Sequence, residues 1–291
     1  MYVKGILYTI LSAVLFGITP ILTTMIYDYG ANSITVVFFR SLFVIPILFC
    51  IMKAKHIPLR IQVHDLKNIA IIAILGSGLT TILLFTSYNY IDVGTATTLH
   101  FLYPICVSVL CYVVYKEKLD TRKLVTLSMA ALGTLCFFDF KNAGNICGII
   151  LASSSAIAYA FYMVQLEKCR LTHMNAYKVS FYIAMFILIE TIAYHILTPV
   201  IYISLPLNAY VLLIMLSIVS SFLAVILLQL GIKHLGSSMA SLFCLFEPVT
   251  SIISGYFFLH ETLTPMKIIG CLIILSSLLF MGLSSKKKNN T

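Results

Sequence analysis

Residues 234–269 read HLGSSMASLFCLFEPVTSIISGYFFLHETLTPMKII, an apolar stretch that carries one acid beside a proline, Glu247 and Pro248. The stretch ends in a short polar turn over residues 260–265. Moving 144 positions back along the chain finds the pattern again, and six of the 36 aligned positions are identical. The identical pairs are Ala96 and Ala240, Pro104 and Pro248, Tyr112 and Tyr256, Glu117 and Glu261, Leu119 and Leu263, and Lys123 and Lys267. Because these pairs fall at the proline and the closing turn of two apolar segments, the sequence predicts an internal duplication.

The composition is typical of a chain that crosses a membrane many times. The 291 residues are 60% hydrophobic and 10% charged, with a mean hydropathy of +1.03. A soluble domain carries about 25% charged residues. Apolar runs of about 20 residues recur along the chain, each long enough to cross about 30 Å of hydrocarbon. We read ten membrane helices, at residues 4–27, 33–52, 66–90, 94–115, 121–138, 145–166, 175–197, 207–232, 236–259 and 264–283.

The basic residues indicate the orientation of these helices. The net charge is +9, but the lysines and arginines lie in short loops between apolar runs, as membrane topology requires, which argues against nucleic-acid binding. With the amino terminus in the cytoplasm, 16 of the 19 basic residues lie inside, Lys141 and Lys267 lie outside, and Arg40 lies within a helix. The sequence therefore predicts a multi-pass protein of the cytoplasmic membrane with both termini in the cytoplasm.

The duplication predicts how the two halves are arranged. The halves are residues 1–141 and 142–291, and five helices in each require that they be inverted in the membrane. The matched turns at residues 116–123 and 260–267 then face opposite sides, in agreement with four basic residues in the first and one in the second. The predicted fold is an all-α polytopic membrane protein, with ten transmembrane helices as two inverted five-helix repeats.

Glu247 is the main candidate for a binding residue. A charged side chain at the centre of a membrane helix costs roughly 2.5–3.5 kcal/mol, so its presence needs a reason. Glu247 lies 11 residues into its predicted helix, about 16 Å deep. Desolvation favours the protonated carboxyl group at this depth, so Glu247 is a candidate for substrate binding and proton exchange. The alternative is a neutral glutamate bonded to a neighbouring helix.

Pro104 and Pro248 each remove a backbone hydrogen bond and loosen the helix one turn earlier.

Aromatic and polar side chains extend this candidate site. Tyr103 is the repeat counterpart of Glu247, and His100 lies one turn before Tyr103 on the same helix face. His100 either contacts a substrate, carries a proton or is structural. Tyr159 and Tyr162 share a face of the sixth helix, where they either form an aromatic wall or pack in the core.

The first and sixth helices match at a shift of 143 positions. The matched pairs are Gly5 and Gly148, Ser12 and Ser155, Ala13 and Ala156, Phe16 and Tyr159, and Gly17 and Ala160. Small residues at this spacing allow close helix packing, which explains Gly17. Phe16 either lines a cavity or fills a core.

Arg40 either snorkels towards the membrane surface or pairs with an acid. Thr264 and Pro265 are predicted to be the N-cap and first residue of the last helix.

The sequence carries no motif for catalysis. It contains no glycine-rich phosphate loop, no GxSxG or HExxH motif and no cluster with metal-ligand spacing, so we expect no catalytic residue, no metal and no cofactor. Eight scattered cysteines, with no CxxC pair, are expected to be small buried apolar residues.

These motifs resemble those of the EamA-type transporters of the drug/metabolite transporter superfamily. The resemblance lies in Pro104 with the turn at 117–119, in Pro248 with the turn at 261–263, and in the Phe16-Gly17, Arg40 and Glu-Pro positions. It covers essentially the whole chain. Family members often carry a tryptophan in the first helix, where this chain has Phe16. The resemblance implies that helices 1, 3, 4, 6, 8 and 9 line a central cavity, that helices 5 and 10 are scaffold, and that Arg40 has a structural or gating role.

The sequence thus predicts a secondary transporter that works by alternating access. As the resemblance implies, the substrate is a small metabolite, an amino acid or related amphipathic compound, and export is more common than uptake. A proton is the candidate coupling ion, the lipid bilayer is a partner, and the oligomeric state is left open. The alternatives are an organic-cation uptake transporter, with Glu247 and tyrosines as the cation site, a non-transporting membrane scaffold and an intramembrane enzyme.

Overall fold

Hydrocarbon offers no hydrogen-bond partners, so a chain this apolar must satisfy its backbone internally. The structure, a computed structural model, describes residues 2–118, 120–137, 145–260 and 262–289, with side chains described to residue 282. All regular elements within these ranges are helical. The ten long helices are α1 (Tyr2–Tyr27), α2 (Ser33–Ala54), α3 (Val63–Ser87), α4 (Val93–Val113), α5 (Thr121–Leu135), α6 (Ile146–Lys168), α7 (Ala176–Leu197), α8 (Leu207–Leu235), α9 (Ser237–Phe258) and α10 (Pro265–Asn289).

Nine of these helices, all except α5, are long and apolar enough to span a membrane, among the residues that the structure describes. Helix α5 has 15 residues and is shorter than the predicted span at 121–138. The other predicted helices agree with the observed ones to within a few residues at either end. The chain is thus a multi-pass helical membrane protein. The predicted boundary between the halves, at residues 141 and 142, lies outside the described residues, as do Leu119 and Glu261 of the matched turns.

Contacts between the helices cross from one sequence half to the other. Helix α1 packs against α8 and α9, while α6 packs against α3 and α4. Helix α2 packs against α7, and α5 packs against α10. The first helix of each half therefore occupies the same place among the third and fourth helices of the opposite half.

Three helices are interrupted shortly before a proline. The breaks lie at Ile18 in α1, at residues 101–102 in α4 and at residues 244–245 in α9. Proline has no N–H group, and its ring clashes with the carbonyl group four residues earlier, which weakens the preceding turn and can break the helix, although α2 continues through Pro46. In α9 the turn tightens, because the backbone N–H of Glu247 bonds to the carbonyl oxygen of Cys244 at 2.8 Å. Pro104 and Pro248 therefore each mark a helix break.

Two other helices are widened rather than broken. Residues Ile72–Gly78 of α3 and Ser217–Ala224 of α8 are π-helical. Such segments are rare, and single π turns are frequent at functional sites. Neither segment contains a proline, so neither was predictable from the rule that explains the three breaks.

Gly236 makes the sharp turn that joins α8 to α9. Its φ of 79° and ψ of 160° belong to a region that essentially only glycine adopts. The next residue, Ser237, donates its backbone N–H to Glu167 Oε2 at 2.6 Å. The carboxylate of Glu167 therefore caps the start of α9.

Candidate functional site

A cavity with about 640 Å³ of empty space, open solvent included, is lined by residues from both sequence halves. Its walls come from α1, α3, α4, α6, α8 and α9, the set that the resemblance implied, and from α2 through Arg40. Among the predicted site residues, those on the cavity wall are Phe16, Arg40, His100, Tyr159, Tyr162 and Glu247. The structure therefore brings most of the predicted side chains together around one space.

Glu247 lies on the cavity wall at the start of a new helical segment. The break before Pro248 makes Phe246–Phe258 a separate segment with Glu247 in its first turn. Free backbone N–H groups at a helix start favour a negative charge. The Glu247 side chain is 8% exposed and accepts a hydrogen bond from the hydroxyl group of Tyr103 at 3.2 Å. The helix break thus places a carboxyl group where it is both buried and hydrogen-bonded.

Tyr103 is buried beside Glu247. The residue predicted to bind substrate is 1% exposed, donates its hydroxyl group to Glu247 and is not among the residues that line the cavity. Its ring packs edge-on against Tyr159, with centroids 4.7 Å apart and an interplanar angle of 89°. Tyr103 therefore positions Glu247 and Tyr159.

His100 is held in one orientation by Ser155. The His100 side chain is 4% exposed, and its Nδ1 lies 2.9 Å from Ser155 Oγ. Ser155 donates its only hydroxyl proton to the carbonyl oxygen of Ala152 at 2.6 Å, so Nδ1–H must be the donor to Ser155. In the neutral ring, Nε2 is then the acceptor. His100 is therefore both a structural partner of α6 and a residue of the cavity wall.

Tyr159 and Tyr162 are buried and also border the cavity. Their rings stack with centroids 5.8 Å apart and an interplanar angle of 18°. Tyr159 also lies 5.4 Å from the His100 ring, between centroids. Both alternatives from the sequence therefore apply, because these rings pack in the core and form an aromatic wall. Phe16, on α1, is half-buried on the same wall.

Four buried hydroxyl oxygens on the cavity wall have no hydrogen-bond partner among the described residues. They belong to Thr19, Tyr88, Tyr162 and Ser220. A buried polar group left unpaired costs about 1–3 kcal/mol, so this wall is suited to a polar ligand or to water. Sequence reasoning missed three of the four, Thr19, Tyr88 and Ser220. For Ser220 a signal was present, because Ser77 lies 143 positions earlier and also lines the cavity.

Arg40 neither snorkels nor pairs with an acid among the described residues. Its Nε–H donates to Ser221 Oγ at 2.9 Å, and Ser217 Oγ donates to the Arg40 backbone carbonyl at 2.8 Å. The guanidinium carbon lies 6.0 Å from the centre of the Phe85 ring. The π-helical segment of α8 thus holds Arg40 at two points beside the cavity.

Gly17 allows α1 to approach α9 closely. A Cβ atom at this position would lie 2.7 Å from the carbonyl oxygen of Glu247 and 2.7 Å from the Cβ of Thr250. Only a residue without a side chain permits this distance. The close packing predicted for Gly17 is present, directly against the residue that carries the carboxyl group.

The match to a family model covers nearly the whole chain. The model of the EamA-like transporter family matches residues 3–138 and again residues 146–283. The chain belongs to this family. The two matched segments of this EamA-like transporter lie on either side of the short region between α5 and α6.

Curated relatives of this EamA-like transporter carry transporter names. It is 26% identical over 236 residues to the Bacillus subtilis protein named "Uncharacterized transporter YoaV", covering 78% of this chain and 79% of the relative. It is 25% identical over 274 residues to an "Uncharacterized transporter" of Archaeoglobus fulgidus, covering 93% of each chain. A solved crystal structure has the same fold, with a TM-score of 0.80 and 15% identity over 99% of both chains.

Proposed function

We propose that this EamA-like transporter is a secondary transporter that moves a small metabolite across the cytoplasmic membrane by alternating access. The substrate is an amino acid or a related amphipathic compound, and the direction is export, which the family resemblance favours. The substrate crosses the membrane without chemical change. The observation that carries the proposal is Glu247, a buried carboxyl group on the wall of a cavity that both halves of the chain enclose.

The helix contacts support two inverted repeats at residues 1–141 and 142–291 that rock against each other. Helix α1 packs on α8 and α9 as α6 packs on α3 and α4. Tyr103 and Glu247 are 144 positions apart, at matching places in the two halves, and they touch at 3.2 Å. Residues exchanged by a two-fold axis can touch only beside that axis. Glu247 therefore suits a site around which the two halves turn.

One end of the helix bundle is closed by polar contacts between α4, α6 and α9. Lys168 Nζ at the end of α6 lies 2.5 Å from Glu117 Oε1, after α4. Glu167 accepts the hydrogen bond from Ser237 already described. With both termini in the cytoplasm, as the basic loops predict, this closed end is the cytoplasmic one. The cavity wall extends the other way, to Tyr88 and Thr97, which supports a state closed towards the cytoplasm.

Purified protein in proteoliposomes tests the role of Glu247. Glu247→Gln keeps the shape of the side chain and an acceptor for Tyr103 but cannot exchange a proton, so we expect transport to be lost or uncoupled from the pH gradient. Glu190→Gln is the matched control, because Glu190 is also an acid within a membrane helix but is not on the cavity wall. If Glu247→Gln transports at the full rate with the pH dependence of the wild type, Glu247 has no part in the mechanism.

The aromatic wall beside Glu247 favours a second candidate, uptake of an organic cation. Tyr159, Tyr162 and Phe16 offer ring faces, and a carboxylate with aromatic rings is a typical site for quaternary ammonium groups. Competition by tetraalkylammonium ions would support this candidate, and indifference to them would favour amino acids. A non-transporting scaffold would show no substrate-dependent thermal shift.

A further inference from the structure

Arg40 lies beside the cavity and has more N–H donors than the hydrogen bonds that it forms. A guanidinium group carries five N–H donors and never accepts a hydrogen bond. The Nε–H of Arg40 bonds to Ser221, and the described residues supply no hydrogen-bond acceptor for the four donors on the two Nη atoms. Arg40 is half-buried, and a charge in such a place is costly without a partner of opposite charge.

The cavity wall carries one basic and one acidic side chain, and these do not pair with each other. Arg40 and Glu247 are the only Lys, Arg, Asp or Glu residues on its described wall. The ion pairs found in the described part of the chain involve Lys168 instead, so Arg40 and Glu247 do not neutralise each other. An occupant with an anionic group for Arg40 and an amino group for Glu247 would give both side chains a partner.

The π-helical segment of α8 makes the surroundings of Arg40 suitable for a carboxylate. Ser221 fixes the guanidinium group through Nε, which leaves the Nη edge available. Ser220, the preceding residue, is fully buried on the cavity wall, and its hydroxyl group has no partner. That hydroxyl group is a further donor for a carboxylate oxygen. A guanidinium group matches a carboxylate with two parallel hydrogen bonds, which an ammonium group cannot do.

We infer that Arg40 binds the carboxylate of the transported compound, with Ser220 as a second donor, while Glu247 binds its amino group. The substrate is then a zwitterionic amino acid whose apolar side chain lies among the rings of Phe16, Phe85 and Phe101. This inference rests on the proposed transport function and names the charge pattern of its substrate. It gives Arg40 a binding role where the sequence and the family resemblance predicted a structural or gating one.

A matched panel of compounds tests the inference on full-length protein. The panel consists of apolar L-amino acids, L-leucine and L-phenylalanine among them, their amides, which lack the carboxylate, and the corresponding amines. Binding is measured by thermal shift in detergent, and transport is measured by counterflow in proteoliposomes. Loss of a charge-assisted pair should make the amides and amines bind about 10- to 100-fold more weakly than the acids.

Variants separate binding from a structural role. In Arg40→Gln the affinity for amino acids should fall to that for the amides, while the affinity for the amides stays unchanged. Arg40→Lys should recover part of the loss, because it keeps the charge but not the paired hydrogen bonds. Ser221→Ala, which frees the guanidinium group, should weaken the binding of acids alone. Ser220→Ala should likewise weaken the binding of acids alone. If Arg40→Gln does not fold, Ser220→Ala and the panel on wild-type protein test the inference in its place.

Several outcomes would overturn the inference. It fails if wild-type protein binds amides and acids equally well, if no panel compound binds, or if Arg40→Gln weakens the binding of all three classes alike. Counterflow of amines but not of amino acids would remove Arg40 from substrate binding and leave the transport function intact. If no compound shows counterflow while acids still bind through Arg40, the result would instead contradict the proposed transport function.

Discussion

Replacing Gly17 with alanine tests how closely α1 and α9 pack beside Glu247. The added Cβ would lie 2.7 Å from the carbonyl oxygen of Glu247 and 2.7 Å from the Cβ of Thr250. Ordinary contacts between carbon atoms are about 3.5–4.0 Å, so the helices must separate by about 1 Å. Neither neighbour is the end of a flexible side chain, so the strain cannot be relieved locally. Overpacking of this kind costs about 1–3 kcal/mol.

The same displacement reaches the proposed binding site. Glu247 is bonded to Tyr103 at 3.2 Å, and a shift of its backbone by about 1 Å would lengthen this hydrogen bond beyond its useful range. We therefore expect Gly17→Ala to lower the free energy of unfolding and also to weaken ligand binding. The first is measured by unfolding in a titration with sodium dodecyl sulfate, and the second is measured by thermal shift with the amino-acid panel.

Gly94→Ala is the matched control for this measurement. Gly94 lies in the first turn of α4, and no atom lies within 4 Å of a Cβ built on it. Because alanine is favoured over glycine in a helix, this change should leave stability unchanged or raise it by about 0.5–1 kcal/mol. The packing described for α1 and α9 would be refuted if both variants unfolded with the same free energy, within about 0.5 kcal/mol.

Two further predictions concern the end of the bundle where Lys168 pairs with Glu117. Lys168→Gln removes the pair with Glu117, worth up to about 1 kcal/mol for partly exposed partners, so alkylation of Cys111 from this end of the bundle, the cytoplasmic end in the proposed topology, should accelerate up to about fivefold. The double variant Glu117→Lys, Lys168→Glu exchanges the two charges and should restore slow alkylation. Equal rates in the wild type, Lys168→Gln and the double variant would show that this ion pair does not limit access to Cys111. Gly236→Ala should cost about 1–3 kcal/mol in unfolding free energy because of its backbone angles, and stability equal to that of Gly94→Ala would count against this turn.

Much of the fold was predictable because membrane helices follow simple local rules. The uninterrupted apolar runs located the helices, since the bilayer sets their length. The last helix begins at Pro265 as predicted, and Thr264 Oγ1 accepts a hydrogen bond from the backbone N–H of Lys267 at 3.3 Å. The prolines at positions 104 and 248 located two helix breaks for the same local reason. The π-helical segments Ile72–Gly78 and Ser217–Ala224 have no such marker in the sequence.

The site was less predictable, because its geometry depends on contacts between distant segments. The comparison of the repeats identified Glu247, Tyr103 and His100, but it could not show that Tyr103 would turn to Glu247 and away from the cavity. Arg40 has a long side chain that reaches several places, and only the position of Ser221, 181 residues away, decides between them. Local sequence therefore finds the polar residues, whereas contacts between distant helices give them their partners, Tyr103 for Glu247, Ser155 for His100 and Ser221 for Arg40.

The wide segment Ser217–Ala224 has a mechanical consequence. It packs more residues into each turn than an α-helix does, so tightening it to α geometry would force the rest of α8 to rotate by about 100° for each residue released. Such a rotation would move Ser220 away from the cavity wall and would move Ser221 away from the guanidinium group of Arg40. The backbone geometry of α8 is thus linked directly to the hydrogen bond that orients Arg40.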